Sequence, residues 1–214
     1  MTSAEYSLRG DRNIEYAFAK SNTPAGNGKR LLDVGPGARV KLGRWARGQR
    51  GWSVTAVDIL ETVNAPGISW VTGDLNHLKF DPGYFAFILN VSSIEHFGVP
   101  GRYGITELDA DADLRAMRRM RKWLAEDGIM VVTLPIGSEE VILAPYHRVY
   151  NNERLTRLFS GYTVAKQEFW NKQGGNNDKF LPCSDGSAFS TIATLSPHHY
   201  YAIGGFVLRK NMEK

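Results

Sequence analysis

Hydrophobic positions in this chain change period repeatedly, and each change marks an element. Ile14–Lys20 has helical spacing, and the Gly-, Asn- and Pro-bearing run 21–28 ends it. Arg30–Val34 is a short apolar strand that runs through a glycine turn into a helix at Lys41–Arg47. Ser53–Val57 and Ile68–Thr72 read as the second and third strands. Phe85–Asn90 is an almost unbroken apolar run, as expected of a strand covered on both faces. A long helix is predicted over Asp111–Leu124, with Asp109, Asp111 and Asp113 favouring its positive end. Asp127-Gly128 then leads to a fifth strand, Ile129–Leu134. A helix (Asn152–Phe159) and two strands (Tyr162–Phe169 and Tyr201–Leu208) complete the series.

This order predicts an α/β fold: a three-layer sandwich around a seven-stranded, mostly parallel sheet, closed by an antiparallel C-terminal hairpin. Ligands bind such sheets beyond the carboxyl ends of the strands. A single domain over 1–214 fits the length. Residues 171–199 depart from the rhythm, being rich in Gly, Asn and Ser and carrying Phe180, Phe189, His198 and His199. A connection that long reads as a substrate-side lid.

Composition narrows the class. No apolar run approaches the roughly 18 residues of a membrane span, and the first six residues lack the blocks of a secretion signal. Cys183 is the only cysteine, so no intrachain disulfide can form and a reducing cytoplasm is the expected location. The formal charge of +4 hints at anionic partners. The densest basic cluster (Arg115, Arg118, Arg119, Arg121, Lys122), however, is interleaved with Leu114, Met117, Met120 and Leu124 at helical spacing. That is the solvated face of a buried helix, so nucleic acid is not an expected partner.

The chemistry concentrates at the strand ends. Asp33 closes the first apolar run, Gly35 and Gly37 follow at once, and Asp58 ends the second strand 21 residues beyond Gly37. Paired glycines let a ligand approach bare backbone, and an acid at the next strand tip can accept from both hydroxyls of a ribose. A nucleoside-bearing ligand is therefore expected. A dinucleotide dehydrogenase would need a third glycine where Val40 stands.

At this level of detail the chain resembles the class I S-adenosylmethionine-dependent methyltransferases. Leu31–Gly37 is similar to their first motif and Ala56–Asp58 to the acid ending their second strand. Gly73-Asp74-Leu75 resembles their adenine-side acid, Ser92–Gly98 the segment after strand four, and Asp127–Pro135 the fifth-strand motif. The ordered matches span about residues 14–170. Ser93–Gly104 and His147–Tyr150 look like a bacterial subgroup tied to surface-sugar or small-metabolite biosynthesis.

The resemblance implies S-adenosylmethionine as cofactor, S-adenosylhomocysteine as product and a small-molecule acceptor. It gives Gly35 and Gly37 a place under the methionine part and Asp33 its amino group. Asp58, with Ile59 beside it, takes the ribose; Asp74 and Leu75 take the adenine, and Asn90 closes the pocket near the sulfonium. Such a methyl already sits on a good leaving group, so the protein supplies alignment and a dry pocket. A hydroxyl acceptor also needs a base, for which His96 and His147 are the candidates. Glu95, Arg102, Tyr103 and Arg148 are candidates for gripping an anionic or sugar acceptor. A metal site at Glu95, His96 and His147 would want another carboxylate where Ser92 stands, so none is expected. Transfer to a hydroxyl oxygen is the reading adopted. Transfer to a small amine and a non-catalytic cofactor-binding module are the alternatives, and a homodimer is left open.

Overall fold

The computed structural model describes residues 10–61, 65–172, 179–194 and 201–211. The elements run α1 (Asp11–Ser21), β1 (Arg30–Val34), α2 (Lys41–Arg50), β2 (Ser53–Asp58), β3 (Ser69–Thr72) and β4 (Phe85–Val91). After a single 3-10 turn at Ile94–His96 come α3 (Ala112–Trp123), β5 (Leu124–Ile136), β6 (Val141–Leu143) and β7 (His147–Val149). The chain then forms α4 (Asn152–Leu158), β8 (Tyr162–Lys172), β9 (Phe180–Cys183), α5 (Asp185–Phe189) and β10 (Ala202–Lys210).

The main sheet has the order β3-β2-β1-β4-β5-β10-β8-β9. Pairs from β3 through β5 are parallel, and β10 enters antiparallel between β5 and β8. The α/β class, the parallel centre and the antiparallel C-terminal strands are as expected; the strand count is not. An eighth strand, β9, extends the edge by pairing with β8, and β6 and β7 make a separate two-stranded sheet. Both additions are three or four residues long, too short to display a period.

Alternation along the strands divides the core. Leu32, Val34 and Ile88 face α3 through Met117, Met120 and Trp123. Leu31, Phe87 and Leu89 face α1 and α2 through Ile14, Phe18, Leu42 and Ala46. With both faces of β1 and β4 covered, their backbone turns out only at the carboxyl ends, where the chain is free to shape a cavity. Among the described residues no helix is long and apolar enough to cross a membrane. The segment 171–199 is an edge strand and a short helix where it is described, and no described residue of 179–194 lines that cavity. His198 and His199 lie outside the described residues.

Candidate functional site

A cavity of about 460 Å³ opens at the carboxyl ends of β1, β2, β3 and β4. The glycine turn and the β2 acid meet in its wall. Gly37 N–H donates to Asp58 Oδ2 at 2.9 Å, and Leu60 N–H donates to Asp58 Oδ1 at 3.0 Å. Gly35 N–H is held by Val57 carbonyl oxygen at 2.8 Å. Gly35 and Gly37 have φ of 60° and 63°, the left-handed region that favours glycine. Their surroundings differ. A Cβ on Gly35 would lie 2.1 Å from Ser93 Oγ, whereas nothing stands within 4 Å of one on Gly37. The second glycine thus leaves bare backbone facing open space.

Asp33 lies beneath this turn at 2% exposure, and its Oδ2 has no hydrogen-bond partner among the described residues. Burial pushes its carboxyl up to about 7, with the Gly43 backbone N–H opposing and Asp58 adding to the rise. An unsatisfied buried acceptor is costly, and a ligand donor would relieve it. Asp74 Oδ1 accepts from Asn76 N–H at 2.8 Å and Oδ2 stands 3.4 Å from His77 Nδ1. Asp74, Leu75 and Ile59 all line the cavity.

The acceptor-side expectations divide. His96 and Tyr103 line the cavity with their rings edge to face, centroids 5.5 Å apart. His96 Nδ1 is 2.6 Å from Tyr146 carbonyl oxygen. A carbonyl can only accept, so Nδ1 carries the proton and Nε2 keeps a lone pair. Burial brings the imidazole down to about 4, against the pull of that hydrogen bond, so it is neutral at physiological pH.

Other expected site residues lie elsewhere. His147 does not line the cavity; it is buried on β7 with its ring 5.0 Å from that of Tyr201. Arg148 is buried too, its Nη2 donating to Ala110 carbonyl oxygen at 2.9 Å and its Nη1 to Glu140. It belongs to an ion cluster with Asp113 and Arg154. Arg102 lies outside the wall, its guanidinium 4.9 Å over the Tyr103 ring. Asn90 is turned inward: Oδ1 accepts from Ile94 N–H at 3.1 Å and Nδ2 reaches Met120 Sδ at 3.7 Å. It caps the 3-10 turn rather than facing a ligand. Glu95 is buried behind Ser92, which does line the cavity.

Several wall residues escaped the sequence reading, among them Arg12 and Tyr16 on α1 and Arg115 on α3. One signal was available. Glu15 is an acid in the buried stripe of α1, between Ile14 and Phe18, and fully buried acids almost always have partners. Here they are Arg12 Nη1 at 2.6 Å and Thr133 Oγ1 at 2.8 Å.

Comparison with known proteins adds the following. No curated protein matches the sequence. A family described as Caenorhabditis protein of unknown function, DUF268, matches residues 73–175, a little under half of the chain. That match takes in Asp74, His96 and His147 but not Gly35, Gly37 or Asp58. Among solved structures, one similar chain is the Burkholderia thailandensis 1,6-didemethyltoxoflavin-N1-methyltransferase with bound S-adenosylhomocysteine. It has 15% identity, covers 97% of this chain and 80% of its own, and has a TM-score of 0.61. Another is a putative methyltransferase from Bacillus halodurans (12% identity, 93% and 100% covered, TM-score 0.66). A third is the [4+2]-cyclase SpnF (16% identity, 98% and 86% covered, TM-score 0.64). At such identities the likeness is one of architecture, and this chain has the Rossmann-like methyltransferase fold.

Proposed function

We propose that this chain is an S-adenosylmethionine-dependent methyltransferase that acts on a hydroxyl oxygen of a small molecule and leaves S-adenosylhomocysteine. The observation that carries the reading is the meeting of Gly37 and Asp58 in the cavity wall, above an Asp33 oxygen with no hydrogen-bond partner among the described residues. These donors and acceptors fit the cofactor. Asp33 Oδ2 accepts from its amino group, Asp58 from the ribose, and Asp74 from the adenine, while the bare face of Gly37 admits the chain between them. The bound cofactor supplies a methyl group on a sulfonium, which needs no activation of the leaving group.

The chain's own work is then alignment, exclusion of water and management of one proton. His96, neutral and with Nε2 free to accept, orients the acceptor hydroxyl; Tyr103 holds the ring in place. Transfer to an amine is a second reading, supported by the N1-methyltransferase among the similar structures. The cyclase with the same fold is a reason to test turnover separately from binding.

Calorimetric titration with S-adenosylhomocysteine tests the cofactor. Wild type is expected to bind it, and Asp58→Asn to weaken binding at least about tenfold, since charge-assisted hydrogen bonds are lost. Binding of a nicotinamide dinucleotide instead would overturn the reading. Cofactor binding with no product from any hydroxyl or amine offered would mark a binding module.

A further inference from the structure

Ser92 and Glu95 are an unexplained feature of the cavity. Ser92 follows directly on β4 and has φ of 49°, a left-handed conformation that L side chains rarely adopt. Such outliers persist where the surroundings hold them, and often at functional positions. Here the Ser92 N–H is held by Thr133 carbonyl oxygen at 3.0 Å and Oγ1 at 3.1 Å. Ser92 Oγ donates to Glu95 Oε1 at 2.6 Å. Glu95 is 1% exposed, and its Oε2 has no hydrogen-bond partner among the described residues. A buried acid usually has a cation, but among the described residues none hydrogen-bonds this one, and Arg12 acts on it only through space. Arg12 is engaged by Glu15, and His96 Nε2 is 3.9 Å from Glu95 Oε1, outside hydrogen-bond range.

Resting on the methyltransferase reading above, we propose that Ser92 and Glu95 are the proton-receiving pair of the cavity. Ser92 touches the acceptor hydroxyl, and Glu95 acts through it as a positioning residue. As the acceptor oxygen bonds to the methyl carbon, the carbon–sulfur bond breaks and its electron pair stays on sulfur. The acceptor proton passes to Ser92 Oγ while the serine proton moves to Glu95 Oε1. A sulfonium and a carboxylate are thereby replaced by a neutral thioether and a neutral acid, and the proton later leaves to water. Two opposite charges vanish together, which suits a site that excludes water.

The proton's destination follows from burial. It pushes the Glu95 carboxyl up to about 7, the Ser92 hydrogen bond opposing, whereas it brings His96 down to about 4. The acid therefore holds a proton better than the imidazole. The charged or titratable groups facing Glu95 are Asp11, Arg12 and Glu15 from α1, Tyr150 after β7, Tyr201 before β10, and neighbouring His96.

The test needs no acceptor. Binding of S-adenosylmethionine and of S-adenosylhomocysteine is measured by calorimetry at pH 7 in buffers of different ionisation enthalpy, giving the protons released by each. Both ligands carry the same amino and nucleoside groups, so proton changes at Asp33 cancel in the difference and the sulfonium is isolated. A cation beside Ser92 favours ionised Glu95. Wild type should release about half a proton more with the methyl donor than with its product. The difference should disappear in Glu95→Gln. Equal release by wild type overturns the pair and leaves the cofactor reading standing, whereas failure to bind either ligand overturns both. A difference that persists in Glu95→Gln also overturns the pair. Should Glu95→Gln not fold, infrared difference spectra of wild type serve: the protonated-carboxyl band must be weaker with the methyl donor bound, and an unchanged band overturns the proposal.

Discussion

Two groups of buried charge stand side by side in this molecule and are satisfied in opposite ways. Asp113 is fully buried, yet both of its oxygens are occupied. Oδ1 accepts from Arg154 Nη2 at 2.5 Å; Oδ2 takes Arg154 Nε at 3.3 Å and the Tyr150 hydroxyl at 3.1 Å. Arg148 Nε stands 3.4 Å from the same Oδ2. This cluster ties α3 to α4 and to the β6–β7 hairpin. Across the sheet ends, Asp33 and Glu95 are equally withdrawn from water, but each keeps one oxygen without a hydrogen-bond partner among the described residues. A network that occupies both oxygens of its acid builds the frame, whereas a buried acid left open has room for a donor that arrives with the ligand. Residue type alone does not separate them, and the difference shows only in who stands opposite.

The comparison breaks most visibly at Asp113. Asp113→Ala leaves Arg148 and Arg154 without the carboxylate between them, and removing one partner of a buried pair costs about 3–5 kcal/mol. Urea denaturation should show a loss of that size, and a loss under about 1 kcal/mol would mean the cluster is not structural. His96→Ala acts on the other side. Turnover should fall roughly 100-fold, the scale expected when the group that orients the reacting hydroxyl is lost, while affinity for S-adenosylhomocysteine changes less than about twofold. His147→Ala, by contrast, should lower stability through lost packing against Tyr201 and leave turnover of the folded protein close to wild type. Reversed outcomes for the two histidines would invert the assignment.

Much of this division was visible in the sequence, but not all. This part of the cavity is local: Asp33, the two glycines and Asp58 follow one another within two strands, so their meeting could be read from spacing. β4 was legible because both its faces are covered. The ion cluster was not, because Arg148 finds Ala110 38 residues away and Arg154 finds Asp113 at a separation of 41. An arginine beside a histidine looks the same in sequence whether it grips a substrate or a carboxylate on another helix. Asn90 misled for a related reason. A polar residue ending a strand at the ligand edge suits a pocket, but its oxygen is taken by Ile94 N–H four residues on. β9 and α5 were hidden by composition: Gly, Asn and Ser suppress the hydrophobic period, and the described part is anchored by the scattered Phe180 and Ala188, with Cys183, Phe189 and Ala193 packed against the core.

Asp33→Asn sharpens the contrast most finely, because binding and stability should move in opposite directions. Affinity for S-adenosylhomocysteine should drop about tenfold as an ionic acceptor becomes a neutral amide. Stability at pH 8 should rise. The folded-state pKa of Asp33 is near 7, above the usual unfolded value of about 3.9. Between those values the native state holds more protons than the unfolded chain, so stability falls as pH rises through that window and is constant above it. A shift of this size bounds the gain in the variant at about 4 kcal/mol. Water entering the open cavity reduces the cost of the charge, leaving about 1–2 kcal/mol. Below about pH 3 Asp33 is protonated in both states, and the two proteins should unfold at the same denaturant concentration. If instead the asparagine variant is less stable than wild type at pH 8, the folded chain stabilises the Asp33 charge and Asp33 belongs with Asp113, to the frame.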